Sequence, residues 1–476
     1  MVRPPVACVL SIILSATPYV HAFLPAGHAF LRSSLPGSAA SAAFSDSDAA
    51  PASTPRRPLH PAAEVLSEGH LDVTDGHAIF YQIRGRPHAA SAPPLPLALF
   101  LHGGPGAGCY PDHARFFDPA RWRVCLVDQR GCGRSTYPGD DPCVDNDTDR
   151  LVDDLEVLRR HVTGDGDGAP WDCVLGGSWG CALALAYGRA HPDALRSIVL
   201  RGVCTMRPEE IGWLFSPQGG AAALAPKGYD EFRRHVFPDD GDGKETEGER
   251  AVLEAYYQEF RSKNATARDA AARAWSKWEM GVSSTTGRYG VAAFAKGDWS
   301  YAYSPQLLNR TRTDAANNTT AAGVGSNATA ANATAATAAD ATATNATATN
   351  ATASGRNDTA HNAVARNGTA RVPAQQMLTC HYSVHDAFSL SSDPLLQSVG
   401  KALAHVPCVA VQGTADTICP PVTAYTLHRS WPEMELVLVS GGGHSQYDPD
   451  VRHELLRATD GMHDRLFGEG GRSEGS

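Results

Sequence analysis

The chain lacks the features that announce several large classes of protein. Its eleven cysteines include no Cys-x-x-Cys pair, and no His-Glu-x-x-His occurs, which argues against structural zinc and zincin chemistry. No basic stripe is present. The formal charge is −10 and the pI is near 6.0, so nucleic acid is not the expected partner. Long hydrophobic runs are also missing: the apolar stretch Val6 to Ala16 is too short to span a bilayer as a stable helix, and no other stretch is longer. Cysteine is used sparsely in polar context. Cys125, Cys173, Cys181 and Cys408 sit in apolar runs, where buried free thiols are expected. The loop cysteines Cys109, Cys132 and Cys143 leave disulfides open in an oxidising compartment.

What is present begins with a leader. Residues 1–22 carry Arg3, no acidic residue, an apolar centre and a Val20-His21-Ala22 end, the pattern of a cleaved signal peptide. Residues 23–63 are rich in Ala, Ser and Pro and read as disordered linker or transit segment. Phe23 directly after the signal resembles the two-part leaders of algal plastid proteins, which offers a plastid as the alternative to the secretory route. The tail, residues 469–476, reads as disordered.

Ordered sequence is expected from Glu64. Two alternating runs flank Asp75-Gly76 as a hairpin. Leu97–Leu101 and Trp122–Val127 are continuous apolar strands of the kind buried in a parallel sheet. Thr148–Val162 has Leu151, Leu155, Leu158 and Val162 on one helical face, with Thr148 as N-cap. Trp171–Tyr187 runs from an apolar strand through Gly176-Gly177-Ser178-Trp179-Gly180 into an Ala/Leu helix. Ser197–Val203 is a further strand. Strand, loop and helix in repetition predict a mostly parallel α/β sheet over residues 64–205.

From residue 206 to 397 the alternation stops and aromatic-containing helices take over: Tyr229–Val236, Glu249–Phe260 and Ala265–Met280. Inside lies an Asn/Ala/Thr low-complexity stretch, residues 309–372, with nine Asn-x-Ser/Thr sequons between Asn309 and Asn367. It is too poor in apolar residues to fold alone and reads as a surface insertion, either glycosylated or a repeat expansion without function. Sheet pattern returns over residues 398–468, with strands at Val406–Gly413 and Met434–Val439 and a closing helix at Arg452–Leu466.

A serine forced into a strand-to-helix turn has its hydroxyl clear of the backbone, which makes Ser178 the candidate nucleophile. It needs a base, and the base needs an acid to orient it. Asp416 and His444 each follow a strand, and loops at that edge of a parallel sheet gather where Ser178 sits. The order Ser178, Asp416, His444 is that of an α/β-hydrolase, and the helices of 206–397 become its inserted cap. Two N–H donors must meet the negative oxygen of the intermediate. The expected ones are Trp179, next to the nucleophile, and Gly104, in the loop His102-Gly-Gly-Pro-Gly. A phosphate cradle is the competing reading of that loop, but no Lys-Ser/Thr follows it.

Four motifs together resemble one family. His102-Gly-Gly-Pro-Gly, Asp128-Gln-Arg-Gly-Cys-Gly-Arg-Ser, Gly176-Gly-Ser-Trp-Gly and Gly413-Thr-Ala-Asp are similar to those of the proline iminopeptidases, across most of 65–205 and 400–465. The resemblance implies a serine aminopeptidase that frees N-terminal proline from peptides through an acyl-enzyme, with no metal or organic cofactor. It also implies that cap carboxylates bind the substrate amine. Trp275-Ser-Lys-Trp-Glu279 is similar to the segment that supplies one, so Glu279 is the candidate substrate-binding residue rather than a helix-surface glutamate. The family's second carboxylate precedes a His-Tyr pair. Here His381-Tyr382 follows Leu378-Thr379-Cys380, which holds no acid. An esterase or a broader aminopeptidase on the same triad is therefore the alternative. A non-enzymatic binding protein is disfavoured by the complete triad.

Overall fold

The computed structural model describes residues 56–87, 94–164, 168–238, 248–283, 374–392 and 394–468. The expected signal peptide, residues 309–372 and the tail 469–476 lie outside the described residues. The strands are β1 (Glu64–Asp72), β2 (Ala78–Gly85), β3 (Leu97–Leu101), β4 (Arg123–Asp128), β5 (Cys173–Gly177), β6 (Ile198–Arg201), β7 (Cys408–Gly413) and β8 (Glu435–Val439). They form one eight-stranded sheet in the order β1-β2-β4-β3-β5-β6-β7-β8. β1 and β2 pair antiparallel, as do β2 and β4, and every pair from β4–β3 onward is parallel. The protein thus has an α/β architecture with a mostly parallel sheet.

The hairpin forms where Asp75-Gly76 places it. Both residues take positive φ, 61° and 75°, a region open to Gly and tolerated by Asp. β3, β5 and β6 are buried at every residue, as unbroken apolar runs require in a sheet covered on both faces. On one face, α1 (Thr148–Thr163) and α2 (Trp179–Ala190) pack against the sheet; on the other lies the last helix of the chain, α12 (Pro449–Phe467). α2 is buried from Trp179 to Gly188. Its small residues allow this: a Cβ on Gly180 would sit 2.3 Å from the Leu101 carbonyl oxygen, so only glycine lets the helix reach β3.

One local expectation is corrected and one open alternative is decided. The N-cap of α1 is Asp147, whose carboxylate accepts from the Arg150 N–H at 2.9 Å. Thr148 instead donates its hydroxyl to the Ala387 carbonyl at 2.8 Å. Cys109, Cys132 and Cys143 form no disulfide; all ten described cysteines are free and buried. The last residues of the expected linker are also anchored. Arg56 and Arg57 pair with Asp450 and Asp460 of α12, and His60 donates its N–H to the Arg115 carbonyl at 3.1 Å.

Between β6 and β7 come α3 (Pro208–Phe215), α4 (Gly220–Leu224), α5 (Pro226–Val236), α6 (Glu249–Phe260), α7 (Ala265–Ser283), α8 (Ala374–Val384), α9 (Ser389–Ser392) and α10 (Leu395–Ala402). Phe215, Phe232, Tyr256, Trp275 and Trp278 interlock at centroid separations of 4.5 to 6.1 Å, an aromatic core that fixes α3, α5, α6 and α7 to one another. After β7 comes α11 (Pro421–Ser430). Among the described residues, no helix is long and apolar enough to cross a membrane.

Candidate active site

The site grows from the carboxyl ends of β3, β5, β6, β7 and β8. In register, Gly176 pairs with Leu101 and Gly177 with Arg201. Ser178 therefore emerges one residue beyond the end of β6 and two beyond the end of β3. It has φ 57° and ψ −124°, a conformation that costs a non-glycine residue roughly 1–3 kcal/mol. Its N–H is tied to the Arg201 carbonyl at 2.9 Å, and its carbonyl accepts from Cys181 N–H at 2.8 Å. These bonds hold the turn so that the side chain stands clear of the sheet edge.

The loop after β3 lies directly on that serine. A Cβ at Gly103 would be 3.1 Å from Ser178 Cβ and 3.7 Å from Oγ. Gly104 follows with φ 114°, open to glycine alone. The loop is held by two buried groups, one on the last residue of β4 and one on the residue after it. Asp128 accepts from the Cys109 N–H at 2.7 Å, from the Arg134 N–H at 2.9 Å and from Arg134 Nε at 2.7 Å. Gln129 donates from Nε2 to the His102 carbonyl at 3.1 Å and accepts from Trp179 Nε1 at 2.9 Å. Trp179 is the first residue of α2, and a helix's first N–H groups have no acceptor within the helix. This places a free donor immediately beside the serine.

Asp416 and His444 meet as the strand order requires. Asp416 Oδ2 accepts from His444 Nδ1 at 2.8 Å. Its Oδ1 accepts from the N–H groups of Ile418 and Cys419 at 3.0 and 2.9 Å. Gln412 Nε2 adds a contact to Oδ2 at 3.4 Å and a bond to the Cys419 carbonyl at 3.0 Å. The carboxylate side chain is fully shielded from solvent, whereas the His444 side chain is 17% exposed. An acid held by several donors orients the imidazole with little freedom. Gly202 makes the room: a Cβ there would approach the His444 ring to 3.1 Å.

Around this centre lie residues that motif reading did not single out. Cys419 Sγ is 3.9 Å from Ser178 Oγ. Arg201 Nη1 donates to the His444 carbonyl at 3.0 Å and lies 3.3 Å from His444 Nε2. The sequence offered Arg201 only as one residue of the strand Ser197–Val203. Nothing in spacing assigns a strand-end side chain to a loop 243 residues away.

The cap touches both sides of the site. Thr417 donates its hydroxyl to the Val282 carbonyl at the end of α7. Thr379 of α8 donates to the Pro105 carbonyl at 3.2 Å, and the Tyr382 ring lies 4.7 Å from that of Trp179. Glu279 projects from α7 half-buried, close enough that its charge acts on the Cys380 thiol of α8. Burial pushes its carboxyl up to about 7. At the position ahead of His381-Tyr382, Thr379 and Cys380 engage backbone carbonyls, of Gln375 at 2.9 Å and of Leu253 at 3.4 Å. The structure thus holds an acid–imidazole pair at the sheet edge from which Ser178 emerges, under a cap that carries one ionisable carboxyl, Glu279.

Residues 96–451 match the family model described as alpha/beta hydrolase fold. A probable proline iminopeptidase of Leptolyngbya boryana is 32% identical over 404 residues, 85% of this chain and 96% of the relative. The proline iminopeptidase of Arabidopsis thaliana is 32% identical over 408 residues, 86% of this chain and 82% of that protein. That of Xanthomonas citri is 32% identical over 407 residues, 85% of this chain and 99% of its own.

Proposed function

The chain belongs to the α/β-hydrolase family and, within it, to the proline iminopeptidases, and from that premise we infer how it releases proline from the N-terminus of peptides. Ser178 Oγ attacks the prolyl carbonyl while His444 Nε2 takes its proton, and Asp416 steadies the imidazolium that results. The N–H groups of Trp179 and Gly104 receive the negative oxygen. Collapse of the intermediate breaks the C–N bond, and His444 protonates the leaving amine. Water, deprotonated by His444, then hydrolyses the prolyl ester and frees proline.

The observation that carries the choice of an aminopeptidase is Glu279. A half-buried carboxyl at the cap, on the helix that reaches the Asp416 loop, suits a free cationic amine and has no use for a blocked one. The test compares a proline arylamide with its N-acetylated form, with Ser178→Ala as control. We expect cleavage of the free form only, and none by the variant. Equal cleavage of both substrates would remove the aminopeptidase and favour the esterase. Activity surviving Ser178→Ala would remove the serine mechanism altogether.

The leader and the sequons of residues 309–372 support a route through the secretory pathway, with a plastid as the alternative end point. Sequencing the mature N-terminus and measuring the mass lost to an N-glycosidase test this. An uncleaved Met1 with no mass change would end it.

A further inference from the structure

Arg201 is buried, with 8% of its surface exposed, and closes β6 opposite the serine turn. Its guanidinium lies over Gly177, where a Cβ would come within 2.5 Å of Nη2. Among the described residues its side chain bonds neutral groups of a single segment. Nη1 reaches the His444 carbonyl at 3.0 Å and His444 Nε2 at 3.3 Å, and Nη2 reaches Gln446 Oε1 at 3.4 Å. A buried cation that spends its donors on one loop is costly to keep unless that loop needs it.

The chemistry of the contact decides what it does. A guanidinium can only donate, so Nε2 of His444 must accept and therefore carries no proton. In the neutral ring the proton then sits on Nδ1, facing Asp416 Oδ2 at 2.8 Å, which can only accept when ionised. Arg201 and Asp416 thus select the same tautomer from opposite sides of the ring. It is the tautomer a general base needs, with its lone pair on the nitrogen that serves the serine.

We propose that Arg201 is a positioning residue of the catalytic base, anchoring the His444 main chain and presenting the ring with Nε2 bare. Nη1 carries two hydrogens. Giving up Nε2 to the hydroxyl of Ser178 leaves its bond to the His444 carbonyl intact, so the loop stays anchored while the ring works. The proposal rests on the serine mechanism given above and not on the preference for proline.

The test uses Arg201→Met, similar in length but without donors, Arg201→Ala and Arg201→Lys in the full chain. Turnover of a proline arylamide is read beside the labelling rate of Ser178 by a fluorophosphonate, which needs the base but no amine recognition. We expect Arg201→Met to lower kcat and the labelling rate together, by about 10²-fold, with KM within about threefold. Arg201→Lys should fall between, since an ammonium reaches one acceptor at a time. Millimolar guanidinium should restore activity to Arg201→Ala and not stimulate the wild type, a response that a loss of packing alone would not give. The far-downfield proton resonance of Nδ1–H should be sharp in the wild type and weakened in Arg201→Met. Unchanged kcat and labelling in Arg201→Met, or a loss that guanidinium never restores while the downfield proton persists, would overturn the assignment. If the wild type resists labelling, the serine mechanism itself fails; normal labelling of wild type and Arg201→Met alike sinks Arg201 alone.

Discussion

Gly202 and His444 share a space that admits no further side chain. A Cβ on Gly202 would lie 3.1 Å from both Cε1 and Nδ1 of the ring and 3.2 Å from Asp416 Oδ2, and the backbone there has φ 58°. Gly202→Ala therefore meets two obstacles. The left-handed conformation costs alanine roughly 1–2 kcal/mol, and the methyl group forces the imidazole off its carboxylate. We expect kcat to drop on the order of 10²-fold with KM little changed, measured with a proline arylamide on protein whose circular dichroism matches the wild type. Wild-type kcat in this variant would show that the ring does not depend on the room Gly202 leaves.

Glu279 gives the site a pH dependence. Burial lifts its carboxyl from an ordinary 4.5 to about 7, so the folded chain holds this proton more tightly than the unfolded chain does. The stability that follows is fully present below about pH 4.5 and is lost as pH rises through about 7. For a half-buried group its size is about 1–3 kcal/mol. Glu279→Gln removes the ionisation, so its melting temperature should gain on the wild type as pH rises from about 4.5 to about 7, keep that gain above, and converge with it below about 4.5. Binding moves the other way. Between about pH 8 and pH 6 the free wild type loses the charge that attracts the substrate amine, so KM should rise as pH falls. In Glu279→Gln KM should be high and nearly flat over the same range. A wild-type KM independent of pH there would separate Glu279 from the amine.

Much of this site was legible because its chemistry is written in local patterns. Ser178 follows a strand and precedes a helix within one short stretch, and Asp416 and His444 each follow a strand in the expected order. Buried strands such as Leu97–Leu101 could be read because a sheet covered by helices on both faces demands continuous apolar residues. What escaped was the set of long-range polar contacts. Gln129 joining His102 to Trp179, Gln412 behind Asp416, and Arg201 against His444 have no periodicity and no spacing rule. They are fixed by which strand ends the sheet order makes neighbours. The N-cap of α1 was misplaced for a related reason: Asp147 and Thr148 both suit the position, and the choice fell to Thr148 finding the Ala387 carbonyl across the fold.

The Arg130–Asp154 pair should matter to stability and not to turnover. The Arg130 side chain is fully buried, and its Nε and Nη2 meet the two Asp154 oxygens at 2.7 and 2.6 Å. Removing Asp154 leaves the buried guanidinium with only the longer contact from Nη1 to Asp75 Oδ2 at 3.4 Å, so much of the cost of breaking a buried pair, about 3–5 kcal/mol, is expected. Asp154→Ala should therefore lower the urea midpoint strongly. Replacing both residues, as Arg130→Met with Asp154→Leu, should recover a large part of the loss, because no buried charge remains. kcat per folded molecule should stay within about threefold of wild type in both. Additive losses in the double variant would mean that packing, and not charge, accounts for the pair.

Gln129 ties the two elements expected to hold the oxyanion, and its loss should be felt in the transition state alone. Its Oε1 receives Trp179 Nε1 at 2.9 Å, its Nε2 donates to the His102 carbonyl at 3.1 Å, and its N–H reaches His102 Nε2 at 3.2 Å. One side chain thus sets the start of α2 against the start of the glycine loop, whose Gly103 lies on Ser178. In Gln129→Met the volume is kept, but Trp179 Nε1 and the His102 carbonyl lose their partner in a buried site. Each element is then free to shift by a fraction of an ångström, which hydrogen bonds to a developing oxyanion tolerate poorly. A ground-state carbonyl makes little use of those donors, so substrate binding should be nearly unaffected. We expect kcat and kcat/KM to fall together by about 10-fold to 10²-fold, with KM held. A transition-state mimic such as a boronic acid of proline should lose affinity in the same proportion. If KM rises while kcat holds, Gln129 serves substrate binding and the link to the oxyanion is wrong.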